Sequence, residues 1–291
     1  IDVSDPTDPT LVSHAPTAWP AADVGERKRL VEDAGLTWSV VESVPLHNDI
    51  KTRSGEYRRC IDNYKQSIVN LGAAGVHRVC YNFMPVVDWT RTSLTYDLPN
   101  KAQALRFEMT DFAAYDLFML ERDGANNCYS ADVLARAAKR FDAMSKEARS
   151  ELEKNIIAGL PGGEGSYDRD GIRAEIDRFS KLCNDGYRAN LFAFLEEIIP
   201  VAEEAGVVMA IHPDDPPFPL FGLPRVVSTA DDARALLNAV PSPANGLTMC
   251  AGSYGARGDN DLQVNSRISD PLAIGVLGPR SVPIPTLTQW A

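Results

Sequence analysis

Apolar and polar positions change rhythm several times along this chain, and each change marks an element. From Asp23 to Ala34 the apolar residues recur at helical spacing, with Asp23 placed as an N-cap and Gly35 just past the end. Thr37 to Val44 is rich in β-branched residues and closed by Pro45, which predicts a strand. Glu56 to Leu71 returns to the helical period, and His77 to Met84 is again strand-like, closed by Pro85. Helix, strand, helix, strand is the alternation of a parallel α/β sheet.

From Asp88 to Asp185 that alternation stops. The span is mostly helical in its patterning, with one long helix predicted from Ser130 to Glu153 and another from Gly171 to Leu182. A connection of this length between two strands is too long for a loop, so it predicts a helical insertion over the carboxyl rim of the sheet, acting as a lid. The glycines between 160 and 166 read as a joint. No strand precedes them and no Gly-Lys-Ser/Thr follows, which argues against a phosphate-binding loop.

The alternation resumes with an amphipathic helix, Tyr187 to Ala205, leading into Val207-Val-Met-Ala-Ile-His-Pro-Asp-Asp-Pro-Pro217. A continuous apolar run predicts a strand buried on both faces, and the prolines end its ladder. One helix later (Ala230 to Ala239, capped by Thr229), Gly246-Leu-Thr-Met-Cys250 is a second short run that ends in a thiol. His212 and Cys250 are thus placed at the carboxyl ends of neighbouring strands, where α/β sheets and barrels carry their chemistry. Taken alone, His212 reads equally well as a core histidine bonded to a backbone carbonyl.

Composition narrows the function classes. The chain has 291 residues, 44% of them hydrophobic and 24% charged, an ordinary globular balance. Its net charge of −11 excludes the basic footprint of a nucleic-acid binder, and it means that an anionic substrate needs a local cation. The 5 cysteines are scattered without a Cys-x-x-Cys, which suits free thiols in a reducing cytoplasm. No apolar run is long enough to predict a membrane span.

Four stretches carry a resemblance. Glu42-Ser-Val-Pro-Leu-His-Asn-Asp-Ile-Lys51, Cys80-Tyr-Asn-Phe-Met-Pro-Val-Val-Asp-Trp-Thr-Arg-Thr92, Ile211-His-Pro-Asp-Asp-Pro-Pro217 and Met249-Cys-Ala-Gly-Ser253 resemble the mannonate dehydratase family, in the same order, over about residues 19–262. The resemblance implies an α/β fold of the TIM-barrel, xylose-isomerase-like kind, here incomplete and with the long helical insertion. It implies a hydro-lyase of glucuronate catabolism that removes water from D-mannonate to give 2-dehydro-3-deoxy-D-gluconate with a divalent metal, Mn2+ or Fe2+. It also carries His212 and Cys250 over as metal ligands. The family adds a second histidine and an aspartate from later strands, and none of the 4 histidines here lies after Cys250. An inactive remnant that binds a sugar acid or a metal without turnover is therefore the alternative. An isomerase on the same fold is a third, less favoured reading. Residues 1–17 read as an extended lead-in unlike the family, residues 18–262 as the barrel core with 88–185 as its insertion, and residues 263–291 as an unstructured tail. The expected partner is a small anionic sugar acid, with a homo-oligomer open and neither nucleic acid nor membrane expected.

Other residues on the same rim are weaker candidates. Asn82 suits a substrate hydroxyl or a turn equally. Trp89 and Arg91 open the insertion, and Arg91 suits either a substrate carboxylate or an ion pair. His47 is a candidate proton carrier, against simple exposure in a loop. Asp214 and Asp215 suit turn capping better than metal ligation, and Glu42 is placed in the barrel interior or beside the ligands.

Overall fold

The structure, a computed structural model, describes residues 17–158 and 168–262. The glycine-rich joint, the tail from 263 and all of the lead-in but Thr17 lie outside these residues. Four strands form one parallel sheet: β1 (Val41–Glu42), β2 (Arg78–Tyr81), β5 (Val208–Ile211) and β6 (Asn245–Leu247), hydrogen-bonded in that order. They are the four strands expected, each shorter than its apolar run. Pairing needs a neighbour as well as propensity, and β1 holds register with β2 only at Val41–Val79 and Glu42–Cys80.

Register decides which side chains face which way. Cys80 pairs with Glu42 on one side and Ala210 on the other, and Ala210 pairs with Gly246. Because side chains alternate along a strand, Glu42, Cys80, His212, Thr248 and Cys250 fall on one face. A hydrogen bond between Cys80 Sγ and Thr248 Oγ1 (3.2 Å) lies on that face. Tyr81 points the other way and meets Phe194 of the helix α8 (Asn184–Glu204) at a ring-centroid distance of 5.9 Å. Phe194, with no exposure, also contacts Tyr64 and Phe83, so this aromatic cluster joins the sheet to α3 (Tyr57–Ala73) and α8.

The helices follow their local signals, with corrections. The first helix α1 (Ala21–Asp33) starts after Pro20, and Asp23 lies in its first turn rather than at its cap. The proline favours a helix start because its missing N–H has no partner there in any case. The helix α9 (Ala230–Ala239) begins at Thr229 as expected, with a reciprocal capping box to Asp232. The single long helix expected from Ser130 is two, α5 (Ala131–Ala143) and α6 (Lys146–Ala158). Met144 turns extended, and the Ser145 hydroxyl accepts from the Ala148 N–H, restarting the helix.

The insertion is also not all helix. It opens with an antiparallel hairpin, β3 (Ser93–Asp97) and β4 (Gln103–Arg106), before α4 (Met109–Phe118). Two short links tie its start to the main sheet. Trp89 N–H donates to the carbonyl of Asp215 at 3.0 Å, and the buried Arg225 donates to the carbonyl of Val87 at 2.8 Å. The insertion therefore meets the loop after β5, at the rim that carries His212.

Candidate metal centre and the family it belongs to

His212 and Cys250 come together. The backbone N–H of His212 continues the ladder onto Tyr81, and the Thr248 N–H onto Ile211, so both chains leave the sheet side by side. His212 is 8% exposed, and its Nδ1 lies 2.7 Å from the Pro213 carbonyl oxygen. A carbonyl there accepts a hydrogen bond from Nδ1–H, which leaves Nε2 as the atom that meets the Cys250 sulfur. The hydrogen bond from His212 holds the Cys250 thiol down to about 7, against burial that raises it, with further help from the Ser253 hydroxyl. Burial lowers the affinity of His212 for its proton, but the Cys250 sulfur and the Pro213 carbonyl outweigh it, so its pKa is raised. Imidazole and thiolate thus lean toward the charged pair. Cys80, on the same face, differs: burial pushes its thiol up to about 12.

These two environments predict different reactivities. In metal-free protein, alkylation of Cys250 by iodoacetamide is expected to rise with pH through about 7, while Cys80 stays unmodified. Mass-spectrometric mapping of the modified thiols across pH 5.5–9 checks both expectations. Cys80 reacting first would contradict them.

The remaining candidates distribute around this pair. Trp89 lies edge-on to His212 with ring centroids 5.2 Å apart. Its φ of 46° is left-handed, an uncommon conformation for a bulky residue, and the hydrogen bond to Asp215 holds it there. Arg91 pairs bidentately with Asp215, at 2.8 and 3.0 Å. Asn82 is buried and its amide reaches Asp88 at 3.3 Å, so it braces the loop after β2. Asp214 is wholly buried and accepts from the Val227 N–H and the Ser228 hydroxyl, the turn-capping role. Glu42 is exposed on the inner face and acts electrostatically on both Cys80 and His212.

His47 lies elsewhere. It is the N-cap of the short helix α2 (Asn48–Thr52), and its Nδ1 accepts from the Asp49 N–H at 3.2 Å. Its donor atom, one from Asp49 and the Cys60 sulfur lie within 4.8 Å of one another, a spacing that a metal could use. Asp49 is already bound there by the guanidinium of Arg178 and by the Glu56 N–H. A cation entering that cluster would be pressed against Arg178, so the ion-pair network accounts for it better.

A cavity of about 420 Å³ opens beside Cys250, lined by Arg91, Phe107, Asp215, Phe218 and Ser253 among others. Phe107, Phe218 and Ser253 were not anticipated. The hairpin that delivers Phe107 has Pro99-Asn100 in its turn, a local signal that points to it.

A family profile described as D-mannonate dehydratase (UxuA) matches residues 10–270. The chain belongs to the mannonate dehydratase family. A "Mannonate dehydratase" of Saccharophagus degradans is 66% identical over 251 residues, 86% of this chain and 63% of that protein. "Mannonate dehydratase 2" of Agrobacterium fabrum is 55% identical over 246 residues, 84% of this chain and 62% of that protein. The crystal structure of mannonate dehydratase from Streptococcus suis serotype 2 superposes with a TM-score of 0.65 at 35% identity, covering 86% of this chain and 58% of that one. The chain's α/β fold, a parallel sheet with helices, is consistent with a TIM-barrel-like architecture, and the chain spans about 63% of the length of the S. degradans relative. The matched span includes both strands that end in His212 and Cys250.

Proposed function

We propose that this chain carries the metal-binding part of a mannonate dehydratase site and converts D-mannonate to 2-dehydro-3-deoxy-D-gluconate. The observation that carries the proposal is the meeting of His212 and Cys250, with the histidine tautomer set by the Pro213 carbonyl. That donor pair fits a divalent ion, since imidazole nitrogen and thiolate sulfur are both first-row metal ligands and the tautomer presents Nε2. Bound there, Mn2+ or Fe2+ would supply Lewis-acid stabilisation of charge building on the substrate carboxylate.

The chain's own residues set the surroundings for that chemistry. The reaction removes the proton at C2 and expels the C3 hydroxyl as water, so it needs a dry, oriented site. Phe107 and Phe218 form apolar walls of the cavity. Trp89 packs edge-on to the His212 ring and adds apolar surface beside it. Asn82, at the end of β2, offers an amide to a sugar hydroxyl beside its bond to Asp88. With a net charge of −11 the protein repels a sugar acid at long range, which makes a bound cation the natural anchor for the carboxylate. All 5 cysteines are free, in keeping with a reducing compartment such as the cytoplasm.

Incubating the purified chain with D-mannonate and Mn2+ is expected to yield the 2-dehydro-3-deoxy product, and a chelator is expected to abolish it. Metal and sugar acid binding without turnover would favour the non-catalytic reading. Turnover insensitive to chelation would refute the metal-dependent one.

A further inference from the structure

Arg91 is the first cation of the insertion, and its guanidinium is committed. Two parallel hydrogen bonds, Nη1 to Asp215 Oδ1 at 2.8 Å and Nη2 to Oδ2 at 3.0 Å, make the fork-to-fork pair that fixes a carboxylate in orientation as well as place. Both side chains are mostly buried, at 15% and 17% exposure. The same Asp215 Oδ2 lies 3.0 Å from the Ser253 hydroxyl, and that hydroxyl lies 3.2 Å from the Cys250 sulfur. A continuous chain of polar contacts therefore runs from the insertion, through the loop after β5, to the thiol that ends β6.

We propose that Arg91, Asp215 and Ser253 are positioning residues that hold the Cys250 sulfur in place beside His212 for metal binding, Arg91 acting through Asp215 rather than on the substrate carboxylate. The proposal rests on the metal reading given above. Its physical basis is proton and lone-pair accounting. Ser253 has one hydroxyl proton and two acceptors within reach, Asp215 Oδ2 and Cys250 Sγ. Arg91 already donates to both carboxylate oxygens, so Asp215 competes less strongly for that proton than a free carboxylate would. A thiolate at Cys250 is then the electron-rich acceptor for the Ser253 hydroxyl, 3.2 Å away. A donor held in place by Asp215 on its other side restricts where the sulfur can sit and which lone pairs it keeps free. Such outer contacts commonly change metal affinity by about 10–100-fold.

The arrangement also gives the insertion a way to act on the metal site without touching the ion. Arg91 precedes β3, and Trp89, two residues earlier, is bonded to the backbone of Asp215. Seating the insertion on the loop after β5 thus sets the Asp215 carboxylate, and with it Ser253.

The test is a Co2+ titration of the full chain, following the sulfur-to-metal charge-transfer band, with Cys250→Ser identifying the band. Ser253→Ala is expected to weaken Co2+ binding by about 10–100-fold and to alter the band, while Ser253→Thr restores both. Arg91→Lys keeps the charge but loses the fork, and is expected to weaken Co2+ binding with no substrate present. A carboxylate-gripping arginine would instead leave Co2+ affinity alone and raise KM for D-mannonate. Should Ser253→Ala fail to melt cooperatively, Arg91→Lys and Ser253→Thr carry the comparison. Wild-type affinity and band in both Ser253→Ala and Arg91→Lys would overturn the relay alone. Absence of any Cys250-dependent band in the wild type would overturn the metal reading with it.

Discussion

Cys250→Ser is expected to remove metal-dependent dehydration almost entirely, by about 10³-fold or more. Lewis-acid stabilisation of a developing charge is worth several kcal/mol, and each ~1.36 kcal/mol is a factor of ten in rate. The Cys250 sulfur is one half of the donor pair, and no neighbouring thiol can stand in for it. Cys80 is the other thiol on that face, but its pKa is pushed up to about 12 by burial and it is hydrogen-bonded to Thr248. Serine keeps the size and the contact with Ser253 while its hydroxyl stays protonated at neutral pH. Fold and substrate access are thus preserved, and the loss reports on the ligand. Parallel assays with saturating Mn2+ check this, and retention of a tenth or more of the wild-type rate would contradict it.

The second large effect is on stability. Phe194→Ala is expected to cost about 3–5 kcal/mol, the usual range for emptying a packed aromatic site. Phe194 is fully buried and its ring meets Tyr64 at 5.3 Å, Tyr81 at 5.9 Å and Phe83 at 6.1 Å. Those partners come from α3 and from β2 with the loop that follows it, so the cavity would open between sheet and helices. Neither helix can move inward independently, because α3 and α8 pack on each other and α8 also packs on β5. For a chain of this size that loss corresponds to a fall of roughly 5–8 °C in Tm. A thermal melt with a shift under about 2 °C would show that the cluster is not the fold's anchor.

The parallel sheet was legible because apolar runs closed by prolines are hard to read otherwise. Val207 to His212, with Pro213 behind it, left a strand where one formed, and the short run from Gly246, without a closing proline, left one at Asn245–Leu247. The placement of His212 and Cys250 on one rim followed from strand order alone. Three features escaped for physical reasons. The hairpin Ser93–Asp97 and Gln103–Arg106 is largely exposed on both faces, so no apolar alternation marks it. The break at Met144 lies within an unbroken helical period, and only the side chain of Ser145 signals the restart. The pairing of Arg91 with Asp215 spans 124 positions. Either residue alone reads equally well as a surface charge or a turn, and only the closed fold brings the two together.

The most direct measurement of the central claim is an anomalous difference map from crystals grown with Mn2+ or Zn2+. A peak between His212 Nε2 and Cys250 Sγ is predicted, at ligand distances of roughly 2.0–2.3 Å for Zn2+. A peak at His47, Asp49 and Cys60 instead, or none at the His212–Cys250 pair, would contradict the account.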